Sequence, residues 1–477
     1  MLFTQLEFLL FFIAVLSLAW LTRRRATRHF VLLLASYYFY AYWDYRFCGL
    51  IFLSTLVDYC VAKGIVSTGN RKIKGGLLAV SIAVNLGLLA FFKYFNFFID
   101  SAAPILESLG VGTSSLSIIL PVGISFYTFQ TLSYTIDVYR GVIKPVESWL
   151  DFALYVSFFP QLVAGPIVRA SEFLPQLQRV PSWSRRRFYG GAQQMLRGAI
   201  KKVIFADRLA EMVDVVFSGP ELYSGLTLWI AALAYACQIY YDFSGYSDMA
   251  IGAAKMLGYR FPVNFRHPYL ASSLSEFWRR WHMTLSRWLR DYLYFSLGGS
   301  RHGTMKTYRN LILTMLVGGL WHGAAWTFVV WGLLHGVGLS VERWCRTQGK
   351  VFATRMGLSP DPLGLKLSWI GSLVNAIFAL VVVILGWILF RSENFGAAAI
   401  YYGRLFTWSD GIDWFPPLVI AAITCLVFEH LAWNTRLRGK MRLPFDAWYS
   451  PVLTVVMLWV LLLYVPNGFK PFVYFQF

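Results

Sequence analysis

The sequence predicts an all-α polytopic membrane protein, and three observations support this fold class. Hydrophobic residues make up 57% of the 477 residues and charged residues only 14%, whereas a soluble globular protein carries roughly 25% charged residues. Apolar runs near the length of a membrane-crossing helix recur along the chain and predict about eleven spans. No polar stretch is long enough for a soluble domain, so residues 1–477 are expected to form one membrane domain.

The net charge of +19 comes from cations that lie mainly between the apolar runs. Such clusters usually mark the cytoplasmic side of a membrane and contact the anionic headgroups of the lipid bilayer. A phosphate-bearing substrate from the cytoplasm is the alternative explanation. In this setting the basic charge does not indicate a nucleic-acid partner.

The cysteines show neither a CxxC pattern nor zinc spacing, and they are expected to be packed thiols. They are Cys48, Cys60, Cys237, Cys345 and Cys425. The sequence therefore predicts neither a metal site nor a bound cofactor. The first apolar run, Phe3–Leu21, is too long for a cleavable signal and is expected to be the first span. Because Arg23, Arg24 and Arg25 follow it, the N-terminus is predicted to lie outside.

The spans of the first half are predicted from apolar runs that alternate with basic turns. They are Phe30–Trp43, Phe47–Val66, Gly75–Phe92 and Leu116–Val138. Pro121 and Gly123 are expected to bend the last of these spans. The segment Asp100–Ser115 contains acidic residues and no lysine or arginine, which predicts an external loop.

The middle of the chain is less regular. Asp151–Ile167 contains prolines and is predicted to be a re-entrant pair, and Phe188–Ile204 is predicted to lie in the membrane interface. Leu226–Tyr241 is predicted to be a span and Tyr246–Leu257 a short return. The polar region 243–306 is predicted to face the cytoplasm because of its arginines.

Five further apolar runs are predicted to be spans. They are Asn310–Leu320, Ala324–Val341, Trp369–Phe390, Trp414–His430 and Trp448–Val465. The basic loop from Arg436 to Arg442 is predicted to be cytoplasmic, and the tail 467–477 is predicted to be external.

The chain is organised around the stretch from Glu276 to His322, in which His282 and His322 each follow a tryptophan. If residues 275–294 form one helix, its apolar stripe and its basic face lie on different sides. The stripe consists of Trp278, Trp281, Leu285 and Trp288. The basic face consists of Arg280, Arg287 and Arg290. Arginines suit phosphate or carboxylate oxygens, but an interfacial helix with snorkelling arginines is the alternative.

His322 differs from His282 because it lies midway through a long apolar region. Gly318, Gly319 and Gly323 flank it and allow a close backbone approach or a helix break. Burial favours the neutral imidazole, which can accept a proton from a hydroxyl as a general base. The alternative is a core histidine that is bonded to a carbonyl.

The other polar candidates rank lower. The segment Asp242–Asp248 is predicted to form a polar lining or a helix cap at Ser244 or Ser247. His29 and His302 are expected to be exposed, and the remaining histidines are expected to lie in a loop, in a core or at a span end. These are His267, His335 and His430. No phosphate-binding glycine loop or serine-hydrolase motif occurs in the sequence.

Several of these segments resemble the signature of the membrane-bound O-acyltransferases. They are Phe277–Tyr292 (FWRRWHMTLSRWLRDY), Trp321–Gly323 (WHG), Leu120–Tyr127 (LPVGISFY), Phe159–Pro166 (FPQLVAGP), Asp242–Ala250 (DFSGYSDMA) and the tail Phe472–Phe477. The motif-bearing core covers about residues 116–345. The sequence is most similar to the bacterial polysaccharide O-acetylation branch, which includes the alginate O-acetylation membrane protein. The D-alanyl transferase of lipoteichoic acid is more distant.

The resemblance implies a ring of tilted transmembrane helices, with re-entrant helices, around a thin centre. It also implies that His322 and His282 are catalytic and that His322 lies where cytoplasmic and external funnels meet. The implied donor is acetyl-CoA or another acetyl thioester, bound by Ser244 and by residues of the two histidine motifs. Those residues are Trp278, Arg279, Arg280, Trp281, Arg287, Arg290, Asp291 and Trp321.

The acceptor would be an exported glycan or a periplasmic SGNH-type acetyltransferase of a glycan-modifying complex, at a bacterial inner membrane. Which glycan accepts the acetyl group stays open. Two other classes of protein remain open as well. One is a transporter or flippase for an anionic substrate, and the other is a scaffold that recruits a glycan synthase.

Overall fold

The computed structural model describes residues 1–355, 369–408, 410–433, 444, 447–464 and 472. These residues form α-helices and short turns, and they contain no β-strand, only one isolated bridge between Tyr223 and Ile412. The predicted all-α class is therefore confirmed. The basic loop from Arg436 to Arg442 and, apart from Phe472, the tail 467–477 lie outside the described residues.

The chain divides into two compact units. The first comprises Met1–Ala199 and Gly245–Val263, and the second comprises Ile200–Ser244 and Asn264–Phe477. One long helix, Gly225–Met256, contributes residues to both units. The single membrane domain stays a prediction.

The first unit contains ten helices before that long one. They are α1 (Leu6–Leu21), α2 (Arg25–Asp44), α3 (Cys48–Ser67), α4 (Arg71–Leu89), α5 (Phe95–Ser108), α6 (Ile124–Tyr139), α7 (Trp149–Ser157), α8 (Phe159–Leu162), α9 (Ala170–Leu177) and α10 (Arg185–Ile200). The first half of the predicted loop Asp100–Ser115 is helical instead, because α5 extends to Ser108; its external position stays a prediction. The predicted bent span is wrong, since α6 begins only after Pro121 and Gly123.

The predicted re-entrant pair corresponds to the two short helices α7 and α8, whose side chains are almost all buried within the first unit. His29 is fully buried rather than exposed, because its Nδ1 lies 2.7 Å from Oδ1 of Asp151 on α7. This buried contact joins α2 to α7. Nothing in the sequence around His29 predicts a partner so far along the chain.

Arg28 is buried at the end of three helices in the first unit. Its guanidinium donates to the carbonyl of Ala19 in the last turn of α1 and, at 2.7 Å, to that of Leu257. It also lies 4.8 Å from the ring centroid of Trp20. Carbonyl ends of helices carry partial negative charge, which compensates a buried cation. Arg28 therefore fastens α1 and α2 to the end of the long helix.

A second polar group fastens α3, α4 and α6. Asp58 is fully buried and accepts hydrogen bonds from Ser81, from Nδ2 of Asn85 at 2.8 Å and from Thr135 at 2.9 Å. The carboxyl group is therefore surrounded by neutral donors. In an apolar setting such hydrogen bonds between helices are a main source of helix association.

The second unit contains the remaining helices. They are α11 (Asp207–Ser218), α12 (Gly225–Met256, as far as Ser244), α13 (Leu274–Arg280), α14 (Met283–Trp288), α15 (Thr304–His322), α16 (Trp326–Arg355), α17 (Trp369–Arg391), α18 (Phe395–Arg404), α19 (Pro417–Trp433) and α20 (Tyr449–Tyr464). Most predicted spans of this half match a helix, although α18 was not predicted.

Two corrections concern α12. The segment Asp242–Asp248 lies inside this helix, so neither Ser244 nor Ser247 caps a helix, and Tyr246–Leu257 is no separate return. The buried ammonium of Lys202 explains part of this continuity, because it lies 2.6 Å from Asp242. A charge that would otherwise favour a helix end is thereby compensated.

Two continuous helical segments of the described residues, Arg25–Ser67 and Arg71–Ser108, are long and apolar enough to cross a membrane. Shorter apolar helices lie at Leu6–Leu21, Asn375–Arg391, Pro417–Ala432 and Tyr449–Tyr464. Large apolar side chains are exposed on several of these helices, including Phe428 at 62% and Leu462 at 72%. Such exposure suits contact with lipid. The number of spans and their ring arrangement stay predictions.

All five cysteines are free. The expectation of packed thiols holds for Cys237, which is fully buried, but Cys60, Cys345 and Cys425 are exposed. Cys60 lies in α3 and Cys425 in α19, two apolar helices. An apolar surrounding can lie outside the protein when the chain is in a membrane, so an apolar run alone does not predict burial.

Candidate active site

His322 is the last residue of α15, and the backbone is extended at the next residue, Gly323. The side chain is 3% exposed. Its position depends on how closely α15 and α16 cross. A Cβ at Gly319 would lie 2.2 Å from the carbonyl oxygen of Phe328, and one at Gly332 would lie 2.3 Å from that of Met315. Only glycine permits this approach.

Aromatic rings surround His322. Its ring centroid lies 4.9 Å from that of Trp321, 5.2 Å from that of Trp331 and 5.3 Å from that of Phe390. Trp331 meets the imidazole edge to face, at an interplanar angle of 90°. These rings keep bulk water away from the imidazole.

His282 lies at a break in the predicted helix 275–294. The chain forms α13 and α14 instead, with His282 between them in the left-handed region at φ 38° and ψ 54°. The single continuous helix is therefore wrong, although all four residues of its apolar stripe are buried. A non-glycine residue in this conformation costs on the order of 1–3 kcal/mol and is typical of functional sites.

The ring of His282 is fully buried. Its Nδ1 lies 3.1 Å from Oδ1 of Asn264, and Phe243 contacts the ring edge to face at 4.6 Å. His282 lies outside the two helical segments long enough to cross a membrane. Burial lowers the pKa of His282 to about 3, so its imidazole is neutral at physiological pH.

Trp321 brings the two histidines into one site. Its ring centroid lies 4.9 Å from that of His322 and 5.8 Å from that of His282. The two histidines, 40 residues apart in the sequence, thus contact the same tryptophan. The predicted grouping of His282, Trp321 and His322 agrees with this geometry.

A wall of tryptophans continues from this cluster. Trp278 lies 5.7 Å from Trp331, which stacks on Trp387 at 5.6 Å, and Trp387 lies 5.0 Å from Trp281. Trp278 and Trp281 were predicted from the sequence. Trp331, Trp387 and Phe390 were missed, because aromatic residues in apolar helices usually indicate lipid contact. The position of Trp331, four residues before His335, was the only available signal.

Several buried polar atoms of the second unit make no hydrogen bond with the described residues. They are Nε2 of His282, the indole nitrogens of Trp281, Trp331 and Trp387, and the hydroxyl of Ser244. Buried polar groups are normally satisfied, and exceptions of this kind point to a ligand or water. The predicted binding residue Ser244 is therefore buried in the second unit with hydrogen-bonding capacity to spare.

The predicted basic face is partly neutralised. Arg280 pairs with Glu276, and Arg290 pairs with the neighbouring Asp291 at 2.6 Å. Asp291, which was predicted to bind substrate, thus forms an ion pair with Arg290. Arg279 is exposed and Arg287 is half-buried. The role of this basic face in binding an anionic group stays a prediction.

The other histidines take different roles. His335 is buried and its Nδ1 accepts a hydrogen bond from Nε1 of Trp278 at 3.4 Å, which agrees with the predicted core residue. His267 and His430 lie edge to face with ring centroids 4.9 Å apart. His302 is exposed, as predicted. The described residues contain no group of three potential metal ligands.

Comparison with protein families gives one match. The model of the membrane-bound O-acyltransferase family matches residues 143–384, about half of the chain. The matched region contains His282, His322 and most of the tryptophan wall. It also begins close to the predicted start of the re-entrant pair.

Individual relatives extend the similarity. The chain is 43% identical to a protein named probable alginate O-acetylase of Azotobacter vinelandii, over 86% of this chain and 79% of that protein. It is 38% identical to a peptidoglycan O-acetyltransferase of Helicobacter pylori, over 77% and 71%. Identity to a teichoic acid D-alanyltransferase of Streptococcus thermophilus is 29%, over 53% and 64%. The order of similarity predicted from the motifs is confirmed.

Proposed function

Because the chain belongs to the membrane-bound O-acyltransferase family, we propose that it moves an acetyl group from a cytoplasmic thioester to a hydroxyl on the other side of the membrane. Its class is that of an O-acyltransferase. The donor we propose is acetyl-CoA or another acetyl thioester. The observation that carries the proposal is the pair of buried histidines joined by Trp321 inside an aromatic wall.

His322 acts as the general base. Its buried, aromatic surroundings disfavour the imidazolium, so the neutral ring can take the proton of an acceptor hydroxyl. The hydroxyl oxygen then forms a bond to the thioester carbonyl carbon, and the carbon–sulfur bond breaks. The proton held by His322 goes to the leaving thiolate, so that an ester and a free thiol are the products.

The aromatic wall serves to exclude water. Water competes with the acceptor alcohol for the thioester, and closed apolar surroundings suppress this hydrolysis. Trp331 and Phe390 lie directly against His322. They therefore protect the site at the point where the carbonyl is attacked.

The donor approaches from the cytoplasm in this proposal, at the His282 end of the site. Guanidinium groups form paired hydrogen bonds with phosphate oxygens. The arginines of the His282 motif would therefore bind the phosphates of the donor, namely Arg279, Arg280, Arg287 and Arg290. The acceptor approaches from the outside. The chain lies in the bacterial inner membrane, with the N-terminus outside.

The acceptor is a hydroxyl of an exported polysaccharide or of a periplasmic acetyltransferase of the SGNH type. The names of the relatives support a glycan, since they mention alginate and peptidoglycan. The chain covers most of both relatives, which supports carrying the reaction class across. The choice between these glycans depends on residues that contact the acceptor.

The test replaces His322 by alanine and uses His302→Ala as its matched control. His302 is exposed, so its replacement should leave activity unchanged. The O-acetyl content of the exported glycan should fall by about 10²- to 10⁴-fold in the His322 variant, the contribution of a general base. Equal amounts of both variants in the membrane exclude a folding defect.

CoA release from acetyl-CoA in proteoliposomes provides the second measurement. The wild-type protein should release CoA, and His322→Ala should not. Uptake of an anionic substrate without CoA release would identify a transporter and overturn the proposal. Full glycan acetylation by the His322 variant would overturn the role of the histidine.

A further inference from the structure

The carboxamide of Asn264 lies beside His282 and contacts it from a loop before α13. We propose that Asn264 is a positioning residue, which holds His282 as the tautomer with hydrogen on Nδ1 and a free lone pair on Nε2. His282 then receives a hydrogen bond from an O–H, N–H or S–H group of a substrate. The role of His282 toward a substrate rests on the proposed acyl transfer, whereas the assignment of its tautomer does not.

The orientation of the Asn264 side chain follows from its neighbours. Its Oδ1 accepts from the backbone nitrogen of Thr284 at 3.2 Å and from the Thr284 hydroxyl at 2.9 Å. A backbone nitrogen can only donate, so the atom facing it has to be the oxygen. The orientation of the amide is therefore determined by its hydrogen bonds.

The tautomer of His282 follows from the same oxygen. Nδ1 of His282 lies 3.1 Å from Oδ1 of Asn264, and an amide oxygen accepts hydrogen bonds but does not donate them. Nδ1 therefore carries the hydrogen. Since burial keeps the ring neutral, Nε2 carries none and presents a lone pair.

The backbone fixes this arrangement further. The backbone nitrogen of Met283 donates to the carbonyl of Asn264 at 2.9 Å, and that of Arg266 donates to the carbonyl of Arg280 at 2.9 Å. These two hydrogen bonds connect the loop that contains Asn264 to the residues on either side of the break between α13 and α14. The left-handed conformation of His282 is thereby held in place, which keeps its ring from rotating with the chain.

The lone pair on Nε2 defines what His282 can do. This atom is buried and makes no hydrogen bond with the described residues. It can accept a hydrogen bond or a proton, but it cannot donate a hydrogen bond to a carbonyl oxygen. Polarisation of the thioester carbonyl by His282 is therefore excluded, and the atom instead orients a hydroxyl, an amide of the donor or the departing thiol.

The experiment compares three variants in lipid. Asn264→Leu removes the acceptor at similar volume, and Asn264→Asp keeps an acceptor at the same place. Thr284→Val is the matched control, because it removes the hydroxyl donor to Oδ1 and leaves the backbone donor of residue 284 and the bond to His282. Each protein carries ¹⁵N-labelled histidine, and the His282 signals are assigned by their loss in His282→Gln.

The nitrogen signals report the tautomer independently of activity. Wild type and Thr284→Val should show an N–H type Nδ1 and a lone-pair type Nε2. In Asn264→Leu this preference should be lost, and CoA release should fall by about 10²-fold. An N–H type Nε2 in the wild type would overturn the inference, whereas failure of His322→Ala to lose activity would overturn only the proposed function.

The pH profile of Asn264→Asp separates a positioning role from a merely structural one. Its carboxylate would stabilise the imidazolium and raise the pKa of His282 above the value of about 3 in the wild type. Activity requires the neutral ring, so it is present above the raised pKa and is lost as the pH falls through it. An acid limb that stays where the wild type has it would contradict the role of His282.

Discussion

Replacement of Gly319 by alanine tests how the crossing of α15 and α16 places the proposed base. A Cβ at Gly319 would meet the carbonyl oxygen of Phe328 at 2.2 Å, whereas ordinary contact begins at 3.4 Å. The two backbones therefore have to separate by about 1.2 Å. His322 lies one helical turn further along α15 and moves with it.

The expected loss of rate is large because His322 would be displaced by about as much as is known to slow a catalytic step strongly. A misplacement of about 1 Å in a catalytic group can cost about 10²-fold in rate. We therefore expect kcat for CoA release from acetyl-CoA to fall by about 10²-fold in Gly319→Ala. The change should appear in kcat and not in KM, since the arginines proposed to bind the donor lie on other segments.

Gly318→Ala is the matched control on the same helix. Its Cβ would meet only Cδ1 of Leu289, at 3.1 Å, and a leucine side chain can yield by a few tenths of an ångström. This variant should keep nearly the rate of the wild type. If Gly319→Ala retains the kcat of the wild type at equal protein amount, the close crossing does not position His322 and the reasoning fails.

Two further predictions concern the donor and the packing of the first unit. Arg287→Gln should raise KM for acetyl-CoA about tenfold, which is the contribution of one charge-assisted hydrogen bond. Arg301 is exposed, and Arg301→Gln should leave KM unchanged. An unchanged KM in Arg287→Gln would show that Arg287 does not bind the donor. Asp58→Leu leaves three donors unsatisfied and should destabilise the protein by about 2 kcal/mol or more, seen as a lower midpoint of thermal inactivation, with Asp58→Asn affected less. Equal midpoints for the two Asp58 variants would contradict a role for its hydrogen bonds.

Several residues that the sequence predicts for the site lie close together in the structure, and their roles stay predictions. His282, His322 and three of the tryptophans were found from their types and spacing, because ionisable and aromatic groups in an apolar chain are costly and conspicuous. Their burial agrees with that prediction. The membrane-bound O-acyltransferase signature added the pairing of the two histidines.

The local conformation was predicted less well, and the cause is long-range contact. Residues 275–294 satisfy a helical pattern throughout, so nothing local predicts the break at His282. The break is stabilised by Asn264, which is 18 residues earlier. In α12 the opposite occurred, since Asp242 and Ser244 suggested a helix end while the buried Lys202 allows the helix to continue.

The missed members of the site also depend on tertiary structure. Trp331, Trp387 and Phe390 lie in apolar helices, where a tryptophan or phenylalanine usually faces lipid. Only the crossing of α15 and α16 and the packing of α17 turn these three rings toward His322. Composition therefore identified the aromatic residues but not the side of the helix on which they act.

The two histidines differ in how they are held, and this difference fits a division of work. His322 stands at the end of a helix and is enclosed by aromatic rings. His282 is fixed by an amide oxygen in a strained backbone, with one tautomer selected. A group that must exchange a proton during each cycle benefits from the first arrangement, whereas a group that must orient a partner benefits from the second. We therefore propose His322 as the base and His282 as the residue that orients the attacking hydroxyl or the departing thiol.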